Sequence, residues 1–132
     1  MNGKLIWQLS GFGLFMAVAT VYVIPSNVEP ACWLVIFGIC AVLVAKFAPG
    51  KHFLHGLYTS FANCLWITTA HFLLYDSYAA THAMEIEQSA SLPGGAHIAM
   101  LYIGPIVGLI SGLVLGLFCL VASKFIKPGT AS

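Results

Sequence analysis

The residues best suited to chemistry lie in one otherwise apolar run near the middle of the chain. Six polar side chains of this run recur at helical spacing: Ser60, Asn63, Cys64, Thr68, His71 and Tyr75. Steps of three or four residues place them on one broad face of a helix. That face either hydrogen-bonds neighbouring helices or lines a polar path in which the His71 imidazole is the titratable group.

A second set of candidate ligands lies in the polar segment that follows. His82 and Glu85 are three residues apart, and His97 stands at the start of the next apolar run. An imidazole and a carboxylate on one helical face are ligands of the kind that bind zinc or manganese. One such pair does not complete a site. The sequence therefore predicts neither a metal nor another cofactor, and His82, Glu85 and His97 remain candidates only.

The cysteines and histidines do not form a recognisable enzymatic pair. Cys64 and His71 share a face, but seven residues separate them by about 10 Å along a helix. The four cysteines include no C-x-x-C pair, which disfavours disulfide-relay chemistry. We therefore expect no catalytic residues and a protein that is not an enzyme.

Composition decides what kind of element positions these side chains. Of 132 residues, 60% are hydrophobic and 7% are charged, which is too little charge for the surface of an ordinary soluble domain. The net charge is +1 and the chain contains no arginine, so no nucleic-acid partner is expected. The chain is predicted to sit in a lipid bilayer.

Four runs are long enough to cross a membrane as helices. They cover about residues 5–24, 31–48, 53–75 and 98–122, and a polar outer segment of about 76–96 holds a short helix near 77–89. Ser26 and Glu29 have the spacing of a capping box before the second run,. These features predict an all-α integral membrane protein, a compact four-helix bundle forming a single transmembrane domain over 1–132.

The lysines predict the orientation. If the N-terminus is cytoplasmic, all five lysines fall on that side, while Glu29, Asp76, Glu85 and Glu87 fall on the other. This distribution follows the positive-inside rule. We expect a multi-pass protein of the plasma (inner) membrane with both termini in the cytoplasm.

The last run carries glycine at every fourth position. These residues are Gly104, Gly108, Gly112 and Gly116. A stripe of small residues lets membrane helices approach closely, so we predict that these four residues pack against another helix. The partner is either another span of this chain or a second copy.

Together these features favour a non-enzymatic packing or accessory subunit, one that forms a homo-oligomer or joins a larger membrane complex. The alternative is a small oligomeric transporter or channel for an ion or solute, with the polar face of the third span as its path.

Overall fold

The computed structural model describes residues 1–129, and its fold is helical. Helix accounts for 81% of the chain, and residues 1–129 contain no strand. The helices are α1 (Gly3–Leu9), α2 (Gly11–Tyr22), α3 (Glu29–Phe47), α4 (His52–Leu73), α5 (Tyr75–Thr81), α6 (Ala83–Ser89) and α7 (Gly95–Phe125). The predicted all-α class is confirmed.

Three helical stretches are long and apolar enough to cross a membrane. They are Gly3–Tyr22, which joins α1 and α2, Glu29–Phe47 and Gly95–Phe125. The chain is therefore a membrane protein by length and composition. Helix α4 has 22 residues, but its polar face keeps its mean hydropathy below that of the other three.

The first of these stretches is interrupted at one residue. Ser10 ends α1 and precedes α2, and its hydroxyl donates to the Trp7 carbonyl at 2.6 Å. Helix α4 supplies polar groups at this break: the Trp66 indole N–H donates to Ser10 Oγ at 3.2 Å, and Asn63 Oδ1 accepts from the Gly13 amide at 3.1 Å. These bonds matter because a backbone group left unpaired in lipid costs several kcal/mol.

The expected capping box before α3 is wrong. The helix begins at Glu29 itself, Val28 occupies the N-cap position, and no side chain caps the helix. Glu29 Oε1 instead accepts a long hydrogen bond from the Trp33 indole, at 3.4 Å. The Glu29 carboxylate is thereby directed along α3 rather than back toward Ser26.

The outer segment also differs from the prediction of one short helix. Two helices of seven residues each, α5 and α6, meet at His82, whose φ of −131° and ψ of 48° are not helical. Helix α4 ends at Leu73, before the predicted limit of the third span. The chain therefore turns at Leu74 and again at His82, and the first of these turns brings side chains of α4 and α5 together.

Helix α4 is the centre of the packing, with α7 on one side and α2 on the other, while α3 packs on α7. The buried apolar cluster joins α1, α2, α3 and α7 through residues such as Leu9, Met16, Val44 and Leu115.

The helix ends that carry lysine lie close to one another. The Asn2 amide donates to His55 Nε2 at 3.0 Å, which joins the start of α1 to the start of α4. The Gly129 amide donates to the Lys46 carbonyl at 2.8 Å, which joins the end of the described chain to the end of α3. One end of the molecule is therefore basic.

Candidate functional site

The glycine stripe of α7 faces α4. A Cβ built on Gly104 would meet the Thr68 hydroxyl, and one built on Gly108 would lie 2.8 Å from the Cβ of Cys64. Further along, Gly112 lies against Leu57 and Gly116 against Phe53. The structure thus places these four residues against a helix of the same chain.

The polar face of α4 is divided between the helices on its two sides. Toward α7, Ser60 Oγ donates to the Gly108 carbonyl at 3.2 Å and Cys64 Sγ donates to the Gly104 carbonyl at 2.8 Å. Toward α2, Asn63 accepts from the Gly13 amide. The predicted polar side chains therefore join three helices.

His71 also joins α4 to α2. Its Nε2 lies 2.8 Å from Thr20 Oγ1, and the Thr20 hydroxyl lies 2.7 Å from the Met16 carbonyl of its own helix. The Thr20 hydroxyl has one proton to donate, and the His71 tautomer decides its direction. With the imidazole proton on Nε2, His71 donates to Thr20 and Thr20 donates to Met16; in the other tautomer, Thr20 donates to His71.

A cavity of about 570 Å³ opens between α3, α4 and α7. Its polar wall is α4, from Ser60 to His71, and its outer end is formed by Glu29 and Tyr78. The apolar part of the lining includes Trp33, Leu34, Phe37, Ile67, Met100, Ile103, Val107, Val114 and Phe118. The volume is within the range of small-molecule sites.

Aromatic rings are stacked at the outer end of the cavity. The Tyr78 ring lies between those of His71 and His82, with centroid distances of 4.0 Å and 4.2 Å. Burial, together with the negative charges of Glu29 and Glu85, raises the pKa of the Tyr78 phenol. Tyr78 is therefore a neutral hydroxyl in this stack at physiological pH.

Glu29 and His82 lie close together at the outer end of the cavity. His82 is 1% exposed, and its Nε2 lies 3.5 Å from Glu29 Oε2. At this distance the two atoms do not form a good hydrogen bond, and His82 Nε2 has no hydrogen-bond partner among the described residues,. Thr81 Oγ1 lies 2.8 Å from the other ring nitrogen, His82 Nδ1.

Tyr75 and His97 form a separate contact. Their rings stack at 4.4 Å, and His97 Nε2 lies 2.8 Å from the Phe72 carbonyl, to which it donates. Tyr75 does not line the cavity that the other polar residues of α4 border. This pair instead attaches the start of α7 to the junction of α4 and α5.

The candidate metal ligands do not converge. Within residues 1–129, no three histidine, cysteine, aspartate or glutamate side chains come close enough to hold a metal ion. His82 faces Glu29, whereas His97 bonds the Phe72 carbonyl. Glu85 Oε2 is buried and has no hydrogen-bond partner among the described residues.

Three buried polar side-chain atoms on α4 also lack partners within the described chain. They are His52 Nε2, Asn63 Nδ2 and Thr59 Oγ1, and the last two belong to residues that are 2% and 0% exposed. Asn63 lines the cavity, whereas Thr59 does not.

Two residues of this region were not among the predicted site residues. The sequence analysis assigns Glu29 to a capping box and does not single out Thr20. A signal for Glu29 was present in the sequence, because it is the acid that directly precedes an apolar run and has an aromatic residue, Trp33, one turn later.

No protein-family model matches the chain, and no curated protein or solved structure is significantly similar to it.

Proposed function

We propose that the chain crosses the plasma membrane four times, with both termini in the cytoplasm. The crossings are α1 with α2, then α3, α4 and α7. At about 1.5 Å per residue, the 22 residues of α4 reach about 33 Å, which matches the hydrocarbon core of a bilayer,. The proximity of the lysine-bearing helix ends supports this topology, because they belong on one side of the membrane.

We further propose that the protein is a non-enzymatic packing or accessory subunit of the membrane. The observation that carries this proposal is the division of the α4 polar face between α2 and α7. Asn63 and His71 bond α2, while Ser60 and Cys64 bond α7. These groups are used to hold helices together, which is the ordinary role of polar side chains in a membrane bundle.

Association with other helices is supported by the surface that the chain leaves uncovered. An apolar stretch of 18 residues in α3 and another in α7 are each only 28% buried by the rest of the chain. Leu34 and Val35 of α3 are 62% and 63% exposed. Such faces contact either lipid or a neighbouring helix, and we propose that part of this surface binds a second copy or another membrane subunit.

Native mass spectrometry of the protein released from lipid nanodiscs tests this proposal. A complex with a mass above that of the 14.1 kDa chain is expected, either a multiple of it or a stoichiometric assembly with another protein. A chain found alone at every protein concentration would contradict the proposal.

Gly38→Leu tests whether a partner helix contacts α3. A Cβ at Gly38 meets nothing within 4 Å, so the chain itself accommodates a side chain there. If a partner helix approaches this part of α3, the variant should keep its fold and lose the complex. Gly11→Leu, at a glycine of α2 that also has open space around it, is the matched control.

The cavity favours a second function, passage of a small solute along α4 in an oligomer. Asn63, Thr68 and His71 all line it. A flux assay in proteoliposomes with a broad panel of ions and solutes tests this alternative. His71→Ala should abolish the flux and His52→Ala, a histidine outside the cavity, should not; absence of flux across the panel favours the accessory subunit.

A further inference from the structure

The cavity between α3, α4 and α7 has an uneven distribution of polarity that defines what it can bind. One long wall is apolar and aromatic: Trp33 and Phe37 meet edge to face at 6.2 Å, and Phe37 meets Phe118 at 6.1 Å. The part of the cavity farther from Glu29 and Tyr78 can therefore accommodate the apolar portion of a ligand. Pockets of this kind take their specificity from a few polar groups.

The charged group in the lining is an acid. Glu29 is the one ionisable carboxylate among the described residues that border the cavity. Its side chain is 24% exposed, so it remains accessible to a ligand. A carboxylate at this position disfavours fatty acids, phosphates and other anions, because like charges repel.

No lysine is in a position to neutralise Glu29. Lys46 lies at the other end of the same helix, 17 residues away, or about 26 Å at 1.5 Å per residue. The remaining lysines belong to the basic end of the molecule, while Asp76 and Glu85 share the outer segment with the cavity mouth. His82 lies 3.5 Å from Glu29, but it does not line the cavity. The mouth is therefore complementary to a positive charge.

An aromatic ring accompanies the carboxylate. The Trp33 indole N–H donates to Glu29 Oε1 at 3.4 Å, so carboxylate and ring lie side by side at the mouth. Tryptophan is the most favourable aromatic partner for an organic cation. A metal ion is a poorer match, because three clustered ligands are not found within residues 1–129.

We propose that this cavity binds a lipophilic ammonium compound, with its cationic nitrogen beside Glu29 and Trp33 and its apolar body against Phe37 and Phe118. The site opens between α3, α4 and α7, and, resting on the proposed four crossings, we expect such a compound to enter from the bilayer. This proposal does not depend on whether the protein is an accessory subunit or a transporter.

Equilibrium binding to the protein in lipid nanodiscs tests it, with empty nanodiscs subtracted. The probes are decyltrimethylammonium, decanol and decanoate, which share an alkyl chain and differ in charge. The ammonium compound should bind saturably, and the neutral and anionic compounds should bind much more weakly. Equal binding of all three compounds to the wild-type protein, or no saturable binding of the ammonium compound, would overturn the proposal. This test needs no variant.

Substitutions locate the site. Glu29→Gln should weaken ammonium binding by about 10- to 100-fold, since a charged contact is lost from a partly buried position. Glu87→Gln removes an exposed acid of α6 and should leave binding unchanged. Ser111→Phe, which places a large ring in the cavity lining, should reduce binding without altering charge. Equal affinities of wild type and Glu29→Gln, with both proteins folded by circular dichroism, would remove Glu29 from the site.

Discussion

Gly56 of α4 and Gly116 of α7 face each other at backbone distance. A Cβ built on Gly56 would lie 2.7 Å from the Gly116 Cα and 2.8 Å from its amide nitrogen. The two helices are therefore in main-chain contact here, and no side chain at position 56 fits without moving one of them. Close approach of this kind strengthens dispersion contacts between membrane helices, which have no hydrophobic driving force in lipid.

Gly56→Ala should destabilise the fold by about 1–3 kcal/mol, the usual cost of overpacking, because the new methyl group meets backbone atoms that cannot rotate away. Gly38→Ala is the matched control, since that glycine has open space around it. Reversible unfolding in mixed micelles measures both free energies. Equal unfolding free energies for the two variants would show that α4 and α7 do not meet at Gly56.

Asn63→Leu should cost about 1–3 kcal/mol of unfolding free energy, because the Gly13 amide loses its acceptor while it stays buried,. The side chains are similar in size, so lost packing contributes little. Amide hydrogen exchange at Gly13 provides the specific measurement, and its protection should fall in the variant. Unchanged protection at Gly13 would contradict the contact between α4 and α2.

Thr59→Val should leave stability unchanged or raise it. The Thr59 hydroxyl is fully buried and finds no partner among residues 1–129, so replacing it with a methyl group of the same shape removes an unpaired polar atom. The melting temperature in detergent checks this, with Thr20→Val as the comparison. Thr20 bonds Met16 and His71, so Thr20→Val should lower the melting temperature. A clear loss of stability in Thr59→Val would mean that the Thr59 hydroxyl has a hydrogen-bond partner.

Ser60→Ala should lower the free energy of unfolding by less than Gly56→Ala or Asn63→Leu does. Its hydrogen bond to the Gly108 carbonyl crosses from α4 to α7, and interhelical bonds of this kind average about 0.6 kcal/mol in membrane proteins. Reversible unfolding in mixed micelles compares Ser60→Ala with the wild type. Equal unfolding free energies would indicate that the Ser60 hydroxyl does not bond the Gly108 carbonyl.

Reporter fusions test the proposed topology. A reporter placed after Ser132 and one inserted at Gly50 should both report the cytoplasm, and one inserted at Ser91 should report the outer side. The reason is that α4 must cross the membrane for the acidic outer segment and the lysines to lie on opposite faces. A reporter at Ser91 found in the cytoplasm would leave three crossings instead of four.

The amino-acid sequence by itself determined the helical class and the membrane character of the chain. Long apolar runs with little charge leave the helix as the structure that satisfies its own backbone in lipid. The glycine spacing also identified a surface for close packing. These properties are local, because each depends on the periodicity of one segment.

The tertiary structure decided which segments face one another. It placed the glycine stripe against α4 of the same chain. Asn63 and Trp66 of α4 hydrogen-bond the chain at and just after the break at Ser10. The turns that separate α4, α5 and α6 stack the rings of His71, Tyr78 and His82. The tertiary structure also brought Glu29 to the mouth of a cavity with Trp33. Such contacts join residues far apart in the chain, 56 positions in the case of Ser10 and Trp66, and periodicity along one helix carries no information about the partner across it.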